Sequence, residues 1–307
     1  MGKREMVVGA TSGLSRAIVA ALAVAVLLSL GCCGRDGELF IVKPPPKEHD
    51  CARYSNNHPA WSPNDDYIIF AYHTDPFIHP DTLGLYRFDL RDSSCVKIVP
   101  GDILCPDDVD FSPDGRWIVF VWHYQLWKAT VDGDSLTQLT FDVMHFDPAW
   151  SPDGSTIAYF RWTSGVNTMN PDGSGRQFIV KGLCPQWIDD HRIAYLDPME
   201  GIFICDIDDG IGEQIFRVRD DWIEIMYLAY SRESLQLIFS VDEKKVCQTS
   251  LWRIDLDGGN LTPLVLRGGA HGGWSPDGTE IVYVDTHAGS IWVMAADGTN
   301  RRPLLDE

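Results

Sequence analysis

The sequence predicts an all-β fold, a six-bladed β-propeller of four-stranded antiparallel blades, and two observations carry that prediction. The first is a repeated phrase: HPAWSPN from His58, DVDFSPDG from Asp108, DPAWSPDG from Asp147, CPQW from Cys184 and HGGWSPDG from His271. Its anchoring aromatics are Trp61, Phe111, Trp150, Trp187, Tyr230 and Trp274, spaced 37 to 50 residues apart. A period near forty marks a repeat architecture. The second is an alternating stretch after each phrase. Apolar and aromatic residues alternate there as Ile68/Phe70, Ile118/Phe120, Ile157/Tyr159, Ile193/Tyr195, Leu237/Phe239 and Ile281/Tyr283, which is the period of a strand.

Each repeat reads as one blade. A short apolar strand ends at the anchoring aromatic, and SPDG turns the chain. Proline presets the first turn dihedral and glycine supplies positive φ, so Gly115, Gly154 and Gly278 are expected there. The alternating strand comes next. A third strand is then written as LYRFDL from Leu85, LWKATV from Leu126, IFICDI from Ile202, LWRIDL from Leu251 and IWVMAA from Ile291. Asp-Gly turns begin at Asp132, Asp172, Asp209, Asp257 and Asp297, and a short fourth strand closes the unit. The fourth and fifth copies read IDDH from Ile188 and SRES from Ser231 in place of SPDG. Both lack the turn glycine, so their hairpins are expected to differ.

This pattern resembles the TolB-like propeller repeat, a relative of the WD-repeat class, and covers residues 58–307. The resemblance implies a propeller and is carried by many unrelated proteins. The family's namesake has a further α/β domain ahead of its propeller, for which this chain leaves no room.

Residues 1–31 read as a signal peptide. Lys3, Arg4 and Arg16 give a basic start, and Ala17–Leu30 is an apolar run shorter than the ~20 residues that cross a bilayer. The run ends in Leu28-Ser29-Leu30-Gly31-Cys32, which resembles the bacterial lipoprotein signal. That resemblance implies lipidation of Cys32, with Cys33 as the alternative acceptor. Because the residue after Cys32 is not aspartate, it also implies an outer-membrane location in a cell with two membranes. Two or three acyl chains, at roughly 0.8 kcal/mol per buried CH₂, anchor a protein stably. Residues 32–57 read as the tether, with a stiff Pro44-Pro45-Pro46 spacer, and Glu38–Val42 is a candidate extra strand for the last blade.

The chain carries 25 Lys and Arg against 44 Asp and Glu, a formal charge of −19. That excess argues against nucleic acid and anionic lipid headgroups as partners. The partner is expected to be another envelope protein, with the membrane reached through the lipid anchor. Export permits disulfides among the eight cysteines, and Cys95 with Cys105 is the best-placed pair. Cys51, Cys184, Cys205 and Cys247 cannot be paired from the sequence, and buried thiols are the alternative.

Chemistry, if any, is expected at the channel mouth. The residues three places before each anchoring aromatic are His58, Asp108, Asp147, Cys184, Tyr227 and His271. The first and last blades of a closed ring are neighbours, so His58 and His271 should approach. The long loop of the first blade adds His73, Asp75, His79 and Asp81 on the same side. Imidazole and carboxylate are good ligands for zinc and similar ions, so His58, His271, His73, His79, Asp75 and Asp81 form a candidate divalent-metal site. No other cofactor is expected. Catalysis is not: the nucleophile elbow G-x-S-x-G is missing, and the ring has too few acids for a calcium-dependent hydrolase. The 11 tryptophans invite a glycan-binding reading, but Trp61, Trp150, Trp187 and Trp274 belong to the repeat core, and Trp162 lies on the candidate face. The sequence thus points to an exported, lipid-anchored, non-catalytic binding or scaffold module, with a metal or small-ligand site, possible hydrolase chemistry included, as the alternative.

Overall fold

The computed structural model describes residues 55–72, 82–102, 106–243 and 248–304. Among them, 24 strands form six four-stranded antiparallel sheets, each in simple up-and-down order. The innermost strands are Ser55–Trp61, Asp107–Phe111, His145–Trp150, Leu183–Trp187, Trp222–Ser231 and Gly269–Trp274, so all six anchoring aromatics lie where the repeat placed them. The first strand starts at Ser55, slightly ahead of the expected boundary at His58.

The repeat residues build the core between blades. Ile68, Phe70, Ile118, Phe120, Ile157, Ile193, Leu237, Phe239 and Ile281 have no exposed surface. Burying one such side chain contributes about 1.5–3 kcal/mol. The ring closes where Trp61, Ile68 and Phe70 of the first blade meet Val282, Ile291 and Val293 of the sixth. The candidate strand Glu38–Val42 lies outside the described residues.

The SPDG phrase has a reason for each letter. In the third blade the buried Ser151 hydroxyl donates to Asp153 (2.7 Å) and accepts the Thr156 N–H (2.9 Å), tying the turn to the returning strand. Ser112 and Ser275 make the same pair of bonds. Gly115, Gly154 and Gly278 have φ of 66°, 75° and 69°, as expected. In the first blade Asp65 takes the glycine's place at φ 60°. A clash at position 154 is not what makes glycine necessary there. An added Cβ would meet only Pro113, at 3.7 Å, so the cost of a side chain is the backbone conformation alone.

The irregular hairpins do differ. In the fourth blade Ile188 N–H bonds Arg192 C=O, a loop one residue shorter than the Ser151–Thr156 closure. In the fifth, Leu235 carries the positive φ (56°), one position later than the missing glycine. The Asp-Gly turns hold a feature the sequence did not announce. A Cβ on Gly133 would lie 1.9 Å from the Ile98 carbonyl oxygen, and one on Gly258 2.1 Å from that of Ile215. Each of these glycines lets its turn sit directly on the outer strand of the preceding blade.

Candidate functional site

Every innermost strand carries one non-glycine residue in the left-handed region, three places before its aromatic. These are His58 (φ 44°), Asp108 (50°), Asp147 (49°), Cys184 (50°), Tyr227 (54°) and His271 (50°). The strand register slips at the same point in all six blades. An extra residue is thus inserted into each innermost strand, a bulge that re-aims its side chain. The conformation costs a residue with a side chain roughly 1–2 kcal/mol. The ring positions were legible by counting back from the aromatics. The strain was not, because Tyr and Cys carry no local preference for left-handed backbone.

Five of the six bulged side chains meet on the axis, joined there by Trp274 of the sixth blade. His58, Asp108, Asp147, Cys184, Tyr227 and Trp274, one from each blade, line a cavity of about 150 Å³. The expected approach of His58 and His271 is present, with ring centroids 4.1 Å apart in an edge-to-face arrangement. Tyr227 stacks on His58 at 5.0 Å and meets His271 at 5.3 Å.

The carboxylates divide their work between stitching and facing the cavity. Asp147 accepts the Cys184 N–H (3.2 Å) and its thiol (3.3 Å). Asp108 Oδ2 accepts the Asp147 N–H at 3.5 Å. One layer deeper, Asp110 accepts the Trp150 N–H at 2.6 Å. In each case a carboxylate of one blade satisfies an amide of the next. On its other side Asp108 Oδ1 makes a short contact with His58 Nδ1. Asp107 reaches the same nitrogen at 3.2 Å, and its Oδ1 also accepts the Asp108 N–H at 2.9 Å.

Burial and this clustering of acids shift the groups apart. Burial alone would lower His58, but Asp108 and Asp107 overcome it and hold the imidazole well above its ordinary value. His271 moves the other way, pushed well down by burial and by its neighbour His58. Burial and the adjacent Asp108 raise Asp147 to about 7. Burial lifts Asp110 to about 6, against the pull of the Trp150 amide. Cys184 is raised well above the usual thiol range by burial and by the Asp147 carboxylate.

Of the expected metal-ligand set, His58 and His271 fall among the described residues. His58 joins Asp107 and Asp108 of the second blade, and these three place ligand atoms within 4.8 Å of one another. His271 neighbours His58 without entering that cluster. His73, Asp75, His79 and Asp81 lie outside the described residues, as do Cys32, Cys51, Cys105 and Cys247. Asp107 was missed because it stands one place ahead of the ring position. The doubled Asp107-Asp108 was the available signal. Cys184 and Cys205 are buried free thiols.

A second feature shares this face. Tyr124, Phe146, Phe160 and Trp162 form a row, with successive centroids 6.0, 6.2 and 6.3 Å apart. The row crosses from the second blade to the third, where Phe146 lies in the innermost strand just before Asp147. Trp162 is 47% exposed, and nearby Phe141 is 74% exposed. Backbone bonds from His145 N–H to Tyr124 C=O (2.9 Å) and from Trp162 N–H to Met144 C=O (3.0 Å) fix the segments that carry it. On the fifth blade Glu224 stands directly opposite Asp242; burial and Asp242 raise the Glu224 carboxyl, and burial and the adjacent Glu243 raise that of Asp242. Among the four tryptophan anchors none exceeds 9% exposure, so the glycan reading has only Trp162 left from the candidate face.

No family model matches the chain. An uncharacterized protein of Agrobacterium fabrum is 25% identical over 266 residues, covering 74% of this chain and 83% of that protein. Among solved structures, a candidate TolB of Agrobacterium tumefaciens superposes with a TM-score of 0.61 at 21% identity, over 78% of this chain and 89% of its own. TolB of Acinetobacter baumannii gives 0.50 at 18% identity, over 78% and 66%. An oligogalacturonate lyase of Vibrio parahaemolyticus gives 0.55 at 11% identity, over 83% and 78%. At these identities the likenesses show the fold alone: the chain is a six-bladed β-propeller with TolB and an oligogalacturonate lyase among its structural neighbours.

Proposed function

We propose that this protein is an exported, lipid-anchored, non-catalytic binding module of the cell envelope, and that it holds a protein partner on the channel-mouth face. The observation that carries this reading is the aromatic row Tyr124–Phe146–Phe160–Trp162, which crosses two blades and ends at an exposed tryptophan. Aromatic side chains give large contact area at low entropic cost and dominate protein interfaces. The opposed Glu224 and Asp242, and the overall charge of −19, suit a partner that presents basic residues beside apolar ones. Gly31-Cys32 at the end of a short apolar run supports a lipid anchor, and the absence of aspartate after it supports the outer membrane of a two-membrane cell. The non-catalytic reading is supported by Cys184, which burial holds as a neutral thiol and hence a poor nucleophile.

The test is crosslinking from a defined position in native membranes. A photoreactive residue at Trp162 should trap a discrete partner, and the yield should fall with added salt as surface charges are screened. The same residue at Ile211, exposed on the opposite face, should trap none of it. Equal trapping from both positions would overturn the reading. A second reading, a metal or small-ligand site at the mouth, is favoured by the convergence of His58, Asp107 and Asp108.

A further inference from the structure

We infer that His58, Asp107 and Asp108 form a divalent transition-metal site at the rim of the axial cavity, assembled across the joint between the first and second blades. The geometry is the first ground. His58 Nδ1 and Asp107 Oδ1 stand 3.2 Å apart, Asp108 Oδ1 is in short contact with the same nitrogen, and all three ligand atoms fall within 4.8 Å of one another. Ligands at 2.0–2.1 Å from a tetrahedral ion are separated by about 3.3 Å, so the His58–Asp107 spacing matches a shared ion, and Asp108 would draw back from its short contact with His58 to complete the site.

The supporting shell is the second ground. Metal-ligating carboxylates are oriented by hydrogen bonds outside the coordination sphere. Asp108 turns Oδ1 to the site while Oδ2 accepts the Asp147 amide. Asp107 is braced by the Asp108 N–H. Tyr227 stacks on the imidazole and fixes its plane. His58 and Asp108 each hold left-handed backbone to bring these atoms together. Strain of this kind persists where the surroundings over-determine it and gathers at functional sites.

A third observation stands beside the cluster. The Nδ1 atom of His271 is buried with no hydrogen-bond partner among the described residues, and its ring centroid lies 4.1 Å from that of His58. A second imidazole with unused donor or acceptor capacity at the same rim is uncommon in a packed interior. The ligand side chains keep 15%, 21% and 12% of their surface, enough for an ion to enter from solvent.

The donor set selects the ion. One imidazole nitrogen and two carboxylate oxygens suit zinc, manganese, cobalt or ferrous ions better than calcium or magnesium, which prefer oxygen alone. Three protein ligands leave at least one coordination position open toward the cavity. That position would take water or a donor atom from a bound molecule. This inference is independent of the partner-binding proposal, which rests on the aromatic row.

The experiment uses the purified full chain, stripped with a chelator and titrated with Mn²⁺ and Zn²⁺ by calorimetry. One ion per chain and a raised melting temperature are expected. Asp107→Asn with Asp108→Asn should weaken binding at least 100-fold, and His58→Ala at least 10-fold. Glu233→Gln, an exposed acid on the opposite face, should leave binding unchanged. Pulsed EPR of the Mn²⁺-loaded wild type should show a directly bound imidazole nitrogen, and this readout stands even if the variants fold poorly. Binding that survives unchanged in the folded variants, or a Mn²⁺ spectrum without nitrogen coupling, would overturn the site. Crosslinking from Trp162 in chelator reports separately on the partner proposal.

Discussion

Replacing Gly133 by alanine should destabilise the protein far more than replacing Gly154, although both glycines sit at positive φ in tight turns. Their φ values are 87° and 75°, so the backbone strain on an alanine is similar, roughly 1–2 kcal/mol. The surroundings differ. The new Cβ at 154 would touch only Pro113 at 3.7 Å. At 133 it would stand 1.9 Å from the Ile98 carbonyl oxygen, a backbone atom of the preceding blade, so one strand must move. Overpacking of that kind costs about 1–3 kcal/mol more. Gly154→Ala should therefore lose about 1–2 kcal/mol and Gly133→Ala about 2–5 kcal/mol. For a chain of this size each kcal/mol lowers the melting temperature by roughly 2–4 °C. Thermal unfolding measured by calorimetry should then show a small shift for Gly154→Ala and one two to three times larger for Gly133→Ala. Equal shifts would refute the view that Asp-Gly turns are contacts between blades as well as turns within them.

Three further outcomes are expected. Cys32→Ala should block lipidation and leave an unprocessed or soluble protein, seen by membrane fractionation; normal processing would move the assignment to Cys33 or remove it. Asp110→Ala should lower stability by about 1–3 kcal/mol, because the buried Trp150 N–H loses its acceptor, and Asp110→Asn should recover part of that loss. Asp147 has a folded pKa of about 7 against an ordinary 3.8, so its contribution favours folding in acid and is lost as pH rises from about 4 through about 7. In chelator, the melting temperature of Asp147→Asn relative to wild type should climb between pH 5 and pH 8, and a constant difference would contradict that sign.

The fold was legible because the repeat writes its blade chemistry in side chains. Trp150, the Ser-Pro-Asp-Gly turn after it and the Ile157/Tyr159 pair each carry a local preference or a burial pattern, and each took its expected place. The ring of residues around the axis was found by position, since a fixed offset from the aromatic is also a fixed depth in the blade. What escaped was interaction between blades. Asp107 and Asp108 are 49 and 50 residues from His58 in the chain, and only the ring brings them together. The approach of Gly133 to Ile98 was hidden for the same reason, because an Asp-Gly pair reads as a turn whatever packs on it. The aromatic row drew on three separate segments, each of whose residues looked like ordinary strand or loop composition alone.

The claim that the channel-mouth face receives a protein partner is tested most directly by hydrogen exchange of the partner-bound protein against the free one. Once the crosslinked partner is purified, its binding should slow exchange in residues 123–125, 141–147 and 160–165, which carry the aromatic row. The turns at 132–135 and 172–175, on the opposite face, should exchange as before. Protection confined to those turns, or none along the aromatic row, would contradict the account.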